Sequence, residues 1–167
     1  MLIFQFGTGF QQTSIIILGN LIGANDVPLA KKMAFLMLVQ VLTILSLIST
    51  GIYVFRSEIL HLFSTEDENA NITMALESMP LMSQINIAIG LNCFLVGCSR
   101  ALGMQAYGVP IMLLTCLLVQ LPVAIFFTLS LQIGIWGLFL ASLVTQIFQM
   151  VSFGSITVCA DWQKIAD

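Results

Sequence analysis

Apolar residues run in long uncharged blocks along this chain, and the blocks are separated by short clusters of polar and charged residues. No acid or base lies between Met1 and Asn25, between Met33 and Phe55, between Ser78 and Ser99, or between Ala101 and Ala160. Uncharged stretches of about 18 residues or more have the length of membrane spans. The last block, at ~1.5 Å per helical residue, would cross a ~30 Å hydrocarbon layer roughly three times, so it must fold back. Gln132, Gly134 and Gly137 collect at 130–137 and supply the turn. The pattern predicts five helices: A over about 2–22, B over 33–55, C over 78–99, D over 107–129 and E over 136–158. A secretory leader would need a positive start, and there is no Lys or Arg before Lys31. Helix A therefore reads as a retained span, and its abrupt apolar start suggests a chain that begins within a larger protein.

Composition narrows the class further. The 167 residues are 59% hydrophobic and 8% charged, with mean hydropathy +1.04. A water-solvated domain carries about 25% charged residues. Lys+Arg number 5 against Asp+Glu 8, so no basic footprint for nucleic acid exists. The fold class expected is all-α: a polytopic membrane helix bundle of five transmembrane helices, forming one membrane domain over 1–167. Lys31 and Lys32 lie between A and B, Arg100 between C and D, and Lys164 in the tail, against Arg56 alone on the opposite side. Cytoplasmic loops hold the excess of Lys and Arg, which places the C-terminus in the cytoplasm and the N-terminus outside.

The segment between B and C, 56–77, is the one substantial water-facing stretch. Ile59, Leu60, Leu62 and Phe63 suit a helical turn lying in the interface. Thr65-Glu66-Asp67-Glu68 has the form of a capping box, and Asn71-Ile72-Thr73 is a glycosylation sequon on the predicted outside. Catalytic chemistry finds no residues to run on. His61 has no second His or nearby Cys, so no metal site is expected, and Cys93, Cys98, Cys116 and Cys159 lie in the spans without CxxC spacing. Gly7-Thr8-Gly9 lacks the third glycine and the preceding strand of a dinucleotide loop. The chain reads as no enzyme and as needing no cofactor of its own.

What remains is uncharged polarity within the spans. Gln11, Gln12, Thr13, Ser14 and Asn20 mark helix A; Gln40, Thr43, Ser46 and Ser49 mark B; Ser83, Gln84, Asn86 and Asn92 mark C; Gln120 marks D; Thr145, Gln146 and Gln149 mark E. An unpaired amide in hydrocarbon costs several kcal/mol, so these groups face one another or water. One account is interhelical hydrogen bonding. The other is a wet substrate pathway, with Gln12, Ser83, Gln84, Asn86 and Asn92 as its candidates, because Ser83, Asn86 and Gly90 share one face of C at i, i+3, i+7 spacing. Gly19 and Gly23 form a GxxxG spacing for close helix packing, and Pro122 inside D predicts a kink or local unwinding.

These residues also carry a family resemblance. Gly19-Asn20-Leu21-Ile22-Gly23-Ala24-Asn25-Asp26 followed by Ala30-Lys31-Lys32 resembles the GN-x-LGAG-[ND] signature, with its trailing A-[KR], of the multidrug and toxin extrusion (MATE) transporters. Ser99-Arg100-Ala101-Leu102-Gly103-Met104-Gln105 with Gly108 resembles the family's LRGxGxQxxG segment. Gln120-Leu121-Pro122 stands at its glycine-leucine-proline kink, Gly134-Ile135-Trp136-Gly137-Leu138-Phe139 resembles its GxxGLW turn, and Asp161-Trp162-Gln163-Lys164 its closing D-W-x-[KR]. The five matches fall in order over nearly the whole chain.

The resemblance implies the last five of twelve helices, with A as the eighth, in an antiporter that extrudes organic cations or xenobiotics in exchange for H+ or Na+ by rocking of two six-helix lobes. It implies the lipid bilayer, a small organic substrate and the absent N-terminal lobe as partners. Ile89 and Leu21 stand where family members have intramembrane acids, and the acid of the seventh helix has no counterpart. Carboxylates at depth are what bind a coupling ion. The expectation is therefore a part of a larger transporter whose other helices hold the coupling site. The alternative is a non-transporting, degenerate or regulatory membrane protein that associates with other helices.

Overall fold

A computed structural model describes the backbone of residues 2–63, 69–130 and 134–166 and the side chains of 5–59, 78–128 and 134–166. The helices are α1 (Leu2–Gly23), α2 (Val27–Val54), α3 (Arg56–Phe63), α4 (Asn69–Ala101), α5 (Gln105–Leu114), α6 (Leu121–Ile125), α7 (Ile135–Cys159) and α8 (Trp162–Ala166). Two π-helical stretches, Thr115–Gln120 and Phe126–Ser130, join α5 through α6 into one continuous helical rod. No strand occurs among the described residues. Predicted helices A to E correspond to α1, α2, α4, the α5–α6 rod and α7. The side chain of His61, the segment Thr65–Glu68, the side chain of Asn71 and Gln132 lie outside the described residues.

Two boundaries differ from the sequence reading, both because that reading counted only uncharged residues. α2 begins at Val27 and not 33, because the Asp26 side chain accepts from the Leu29 N–H at 3.2 Å and Pro28 sits where a helix needs no N–H. Lys31 and Lys32 therefore lie in its first turns. α4 begins at Asn69 and not 78, which puts Pro80 in its interior and makes the water-facing connection much shorter.

α4 is the central helix, packed against α1, α2 and α7. Its 33 residues span ~50 Å, more than a bilayer core needs. In lipid, helices associate through close van der Waals contact more than through burial of apolar area. Gly97 shows how: a Cβ built there would come within 2.7 Å of the Gln11 carbonyl oxygen, so only glycine lets α4 and α1 cross backbone to backbone. The buried core runs from Leu18 and Ile22 through Val27, Ala30, Val41 and Leu45 to Phe94, Cys98 and Leu102. Outward-facing Phe35, Leu47, Leu118, Val151 and Val158 give the bundle its apolar exterior.

Four segments are long and apolar enough to cross a membrane: Val27–Val54, Ser78–Ala101, Gln105–Thr128 and Ile135–Cys159. α1 is not among them. It is long enough at 22 residues, but it carries Gln5, Gln11, Gln12 and Asn20.

Candidate functional site

Three of the amides of α1 lie on one exposed side, whereas Gln11 and Ser14 face α4 at the Gly97 crossing. Gln5, Gly9, Gln12, Ile16, Asn20 and Gly23 are exposed, at steps of three and four residues that trace a single face. Thr13 flanks that face and returns its hydroxyl to the Gly9 carbonyl at 2.9 Å. The side-chain amides of Gln12 and Asn20 make no hydrogen bond to any described residue. Space around Gly9, Gly19 and Gly23 is open, with nothing within 4 Å of an added Cβ. Close packing at Gly19 and Gly23 is thus not realised among the described residues. Close approach occurs instead at Gly97 and Gly90, which lie on the side of α4 turned towards α1 and α2.

The candidate pathway residues of α4 separate into different environments. Ser83 is buried in the seam with α2: the Ser49 hydroxyl donates to the Ser83 carbonyl, and the Ser83 hydroxyl donates to the Pro80 carbonyl at 2.7 Å. Two helical turns further along the seam, Gly90 admits the Leu45 side chain, which would lie 2.3 Å from an added Cβ. The face bearing Ser83 and Gly90 therefore meets another helix and does not form an open channel within this chain. Gln84 is exposed beside that seam, in a cavity of about 540 Å³ lined also by Ser46, Thr50 and Tyr53. Arg56 stacks over the Tyr53 ring at 5.1 Å, at the same end. Asn86 is half-buried.

Asn92 is buried in a separate place, between α4 and α7. Its Nδ2 donates to Gln149 Oε1 at 2.6 Å and to Gln146 Oε1 at 2.9 Å, and its own Oδ1 is buried without a partner among the described residues. The amides of Asn92, Gln146 and Gln149 were each legible as polar positions within spans, but their meeting depends on how α7 is rotated against α4. Ser46 was legible as a polar position of its helix but not as a pathway candidate, and Thr50 and Tyr53 were not singled out; their i, i+4, i+7 spacing is the signal that groups the three on one face. Among the described residues no three His, Cys, Asp or Glu side chains come together to hold a metal.

Pro122 lies in α6, between the two π stretches. The Leu121 N–H reaches back five residues to the Cys116 carbonyl, so the rod widens ahead of the proline without a break in the helix.

The remaining motif residues cluster at the end that carries Lys31, Lys32, Arg100 and Lys164, and they are devices for turning the chain. Asn25, at φ 57, closes α1, with the Asp26 N–H bonded to the Leu21 carbonyl and the Asn25 N–H to that of Ile22. Gly103, at φ 73, closes α4 in the same pattern, through Met104 to Ser99 and Gly103 to Arg100. Both are Schellman caps, which need a left-handed residue. At the far end of the sequence Trp162 is buried against the core formed by α1 and α2, and its indole N–H donates to the Thr157 carbonyl at 2.9 Å.

Comparison with known proteins follows from this geometry. The sequence model of the MatE family matches residues 1–126. "Multidrug and toxin extrusion protein 2" of Homo sapiens is 27% identical over 149 residues, covering 89% of this chain and 24% of that protein. "Protein DETOXIFICATION 17" of Arabidopsis thaliana is 26% identical over 165 residues, covering 98% of this chain and 34% of that protein. The crystal structure of the eukaryotic MATE transporter AtDTX14 superposes with a TM-score of 0.89 at 23% identity, over 98% of this chain and 36% of that one. The chain spans between a quarter and about a third of the length of these relatives.

Proposed function

This chain belongs to the MatE family, and we propose on that footing that it forms one wall of a secondary transporter that extrudes small organic compounds in exchange for H+ or Na+. The observation that supports this reading most is the exposed amide face of α1. An amide facing hydrocarbon without a partner costs several kcal/mol, so Gln12 and Asn20 need either water or a polar helix beside them. A helix with one polar side is what a water-filled pathway requires of its wall. Gln12 is the residue of this chain assigned to that pathway. Gln84 and Asn86 are secondary members, while Ser83 and Asn92 hold helices together.

The spans of this chain contain no carboxylate, so ion coupling falls to helices outside it. Its partners in this reading are the bilayer, the organic substrate and the other membrane helices of the transporter, with the C-terminus cytoplasmic. The test is a chimera in which this chain replaces the matching part of Protein DETOXIFICATION 17, assayed in vesicles for extrusion of a fluorescent organic cation. The chimera is expected to transport and the isolated chain is not. Gln12→Leu should insert normally and lower transport per folded molecule about tenfold, the effect of ~1.4 kcal/mol on a rate. A chimera that folds and inserts but moves nothing would instead favour a non-transporting role in helix association.

A further inference from the structure

One cavity of the bundle has no part in the proposed pathway. It occupies about 420 Å³ between α4, α5 and α7, at the end where Arg100 and Gln105 stand. Its two ends differ in chemistry. The mouth is formed by exposed Arg100 with Gln105 at the α4–α5 turn, where the span Ser78–Ala101 finishes and the bilayer interface must lie. The first turn of α5 opens on the same mouth, and its cap residue Met104 offers no side-chain acceptor for the free N–H groups there. Deeper along the helices the lining becomes Val109, Met112 and Phe153, with Gly108 leaving room against the Phe153 ring.

A cationic head at interface depth above an apolar shaft parallel to the helices matches one class of ligand in both charge and direction. We infer that this cavity binds an anionic phospholipid, its phosphate at Arg100 and Gln105 and the upper part of one acyl chain against the exposed Val109 and Met112. The charge balance of the end supports the choice, since four of the five basic residues of the chain lie there. If that end is cytoplasmic, as proposed above, it faces the leaflet that carries anionic lipid. A soluble phosphate would use the mouth and leave the shaft empty. A zwitterionic lipid would fill the shaft and bring no net charge to Arg100. The inference does not depend on transport.

The chain, purified in micelles, is titrated with phosphatidylglycerol or with phosphatidylcholine of the same acyl chains, and retained lipid is counted by native mass spectrometry. The wild-type chain should retain phosphatidylglycerol in preference. Arg100→Gln should reduce that retention about fivefold, the factor one basic residue contributes near an anionic membrane, and leave phosphatidylcholine unchanged. Arg100→Lys should keep the preference, and Val109→Trp, which fills the shaft, should lower retention of both lipids. Neutralising Lys31, Lys32 and Lys164 together should change little. No preference in the wild type, full retention by Arg100→Gln, or a preference lost only with the three lysines would each overturn the site. So would complete displacement by millimolar inorganic phosphate. Should Arg100→Gln fail to fold, Arg100→Lys, Val109→Trp and the lysine variant still decide the matter.

Discussion

Glycine has opposite meanings at different positions of this chain. Gly19 and Gly23 have the spacing associated with close helix packing, yet open space surrounds them. Gly97 stands outside any GxxxG pair, yet it sits where α1 and α4 cross backbone to backbone. An extra side chain at Gly97 has a backbone carbonyl in its way and cannot be relieved by a rotamer change. Overpacking of that kind costs about 1–3 kcal/mol. Gly97→Val is therefore expected to lower the melting temperature of the purified chain clearly, whereas Gly19→Val should leave it within a degree or two. Equal effects at both positions would show that the crossing is looser than described. The sequence could reveal that Ser83, Gly90 and Gly97 recur every seven residues on one side of a helix. Which neighbour they meet is a property of three helices at once and is not contained in the spacing of any one of them.

At the scale of elements, the helices themselves were legible because uncharged length is a direct requirement of the bilayer. Their ends were less so. Capping by Asp26 and the caps at Asn25 and Gly103 override charge as boundary markers, which is why α2 starts among its lysines. The winding of the α5–α6 rod was not legible at all. A π stretch holds one residue more than the α-helical turns it replaces, and the apolar residues of 105–128 show no polar face from which a change of phase could be read. Removing one residue within Thr115–Gln120 should let the stretch rewind as α-helix, and folded yield in size-exclusion chromatography should remain close to that of the parent chain. Removing one residue within 141–145 of α7 should turn everything beyond it by about 100° and carry Gln146 and Gln149 away from Asn92, with a large loss of folded yield. Comparable losses from the two deletions would argue against the π winding.

At the scale of the whole molecule, topology follows from an even count of crossings between the Lys31–Lys32 turn and the Lys164 tail, which puts both on one side. In a background with the four native cysteines replaced, a cysteine at Asn69 should react with an impermeant thiol reagent added outside, and one at Asp167 only after permeabilisation. The reverse labelling would invert the molecule and would move the proposed lipid to the opposite leaflet. The burial of Trp162 against α1 and α2 has a consequence for biosynthesis. Trp162 shares one buried cluster with Leu18, Ile22, Val27 and Ala30, which lie more than 130 residues earlier in the sequence, so the indole that completes the cluster is added only after α7 has been synthesised. The α1–α2 hairpin therefore waits in the membrane with one end unsealed, and a chain interrupted before 162 carries an open seam between those helices.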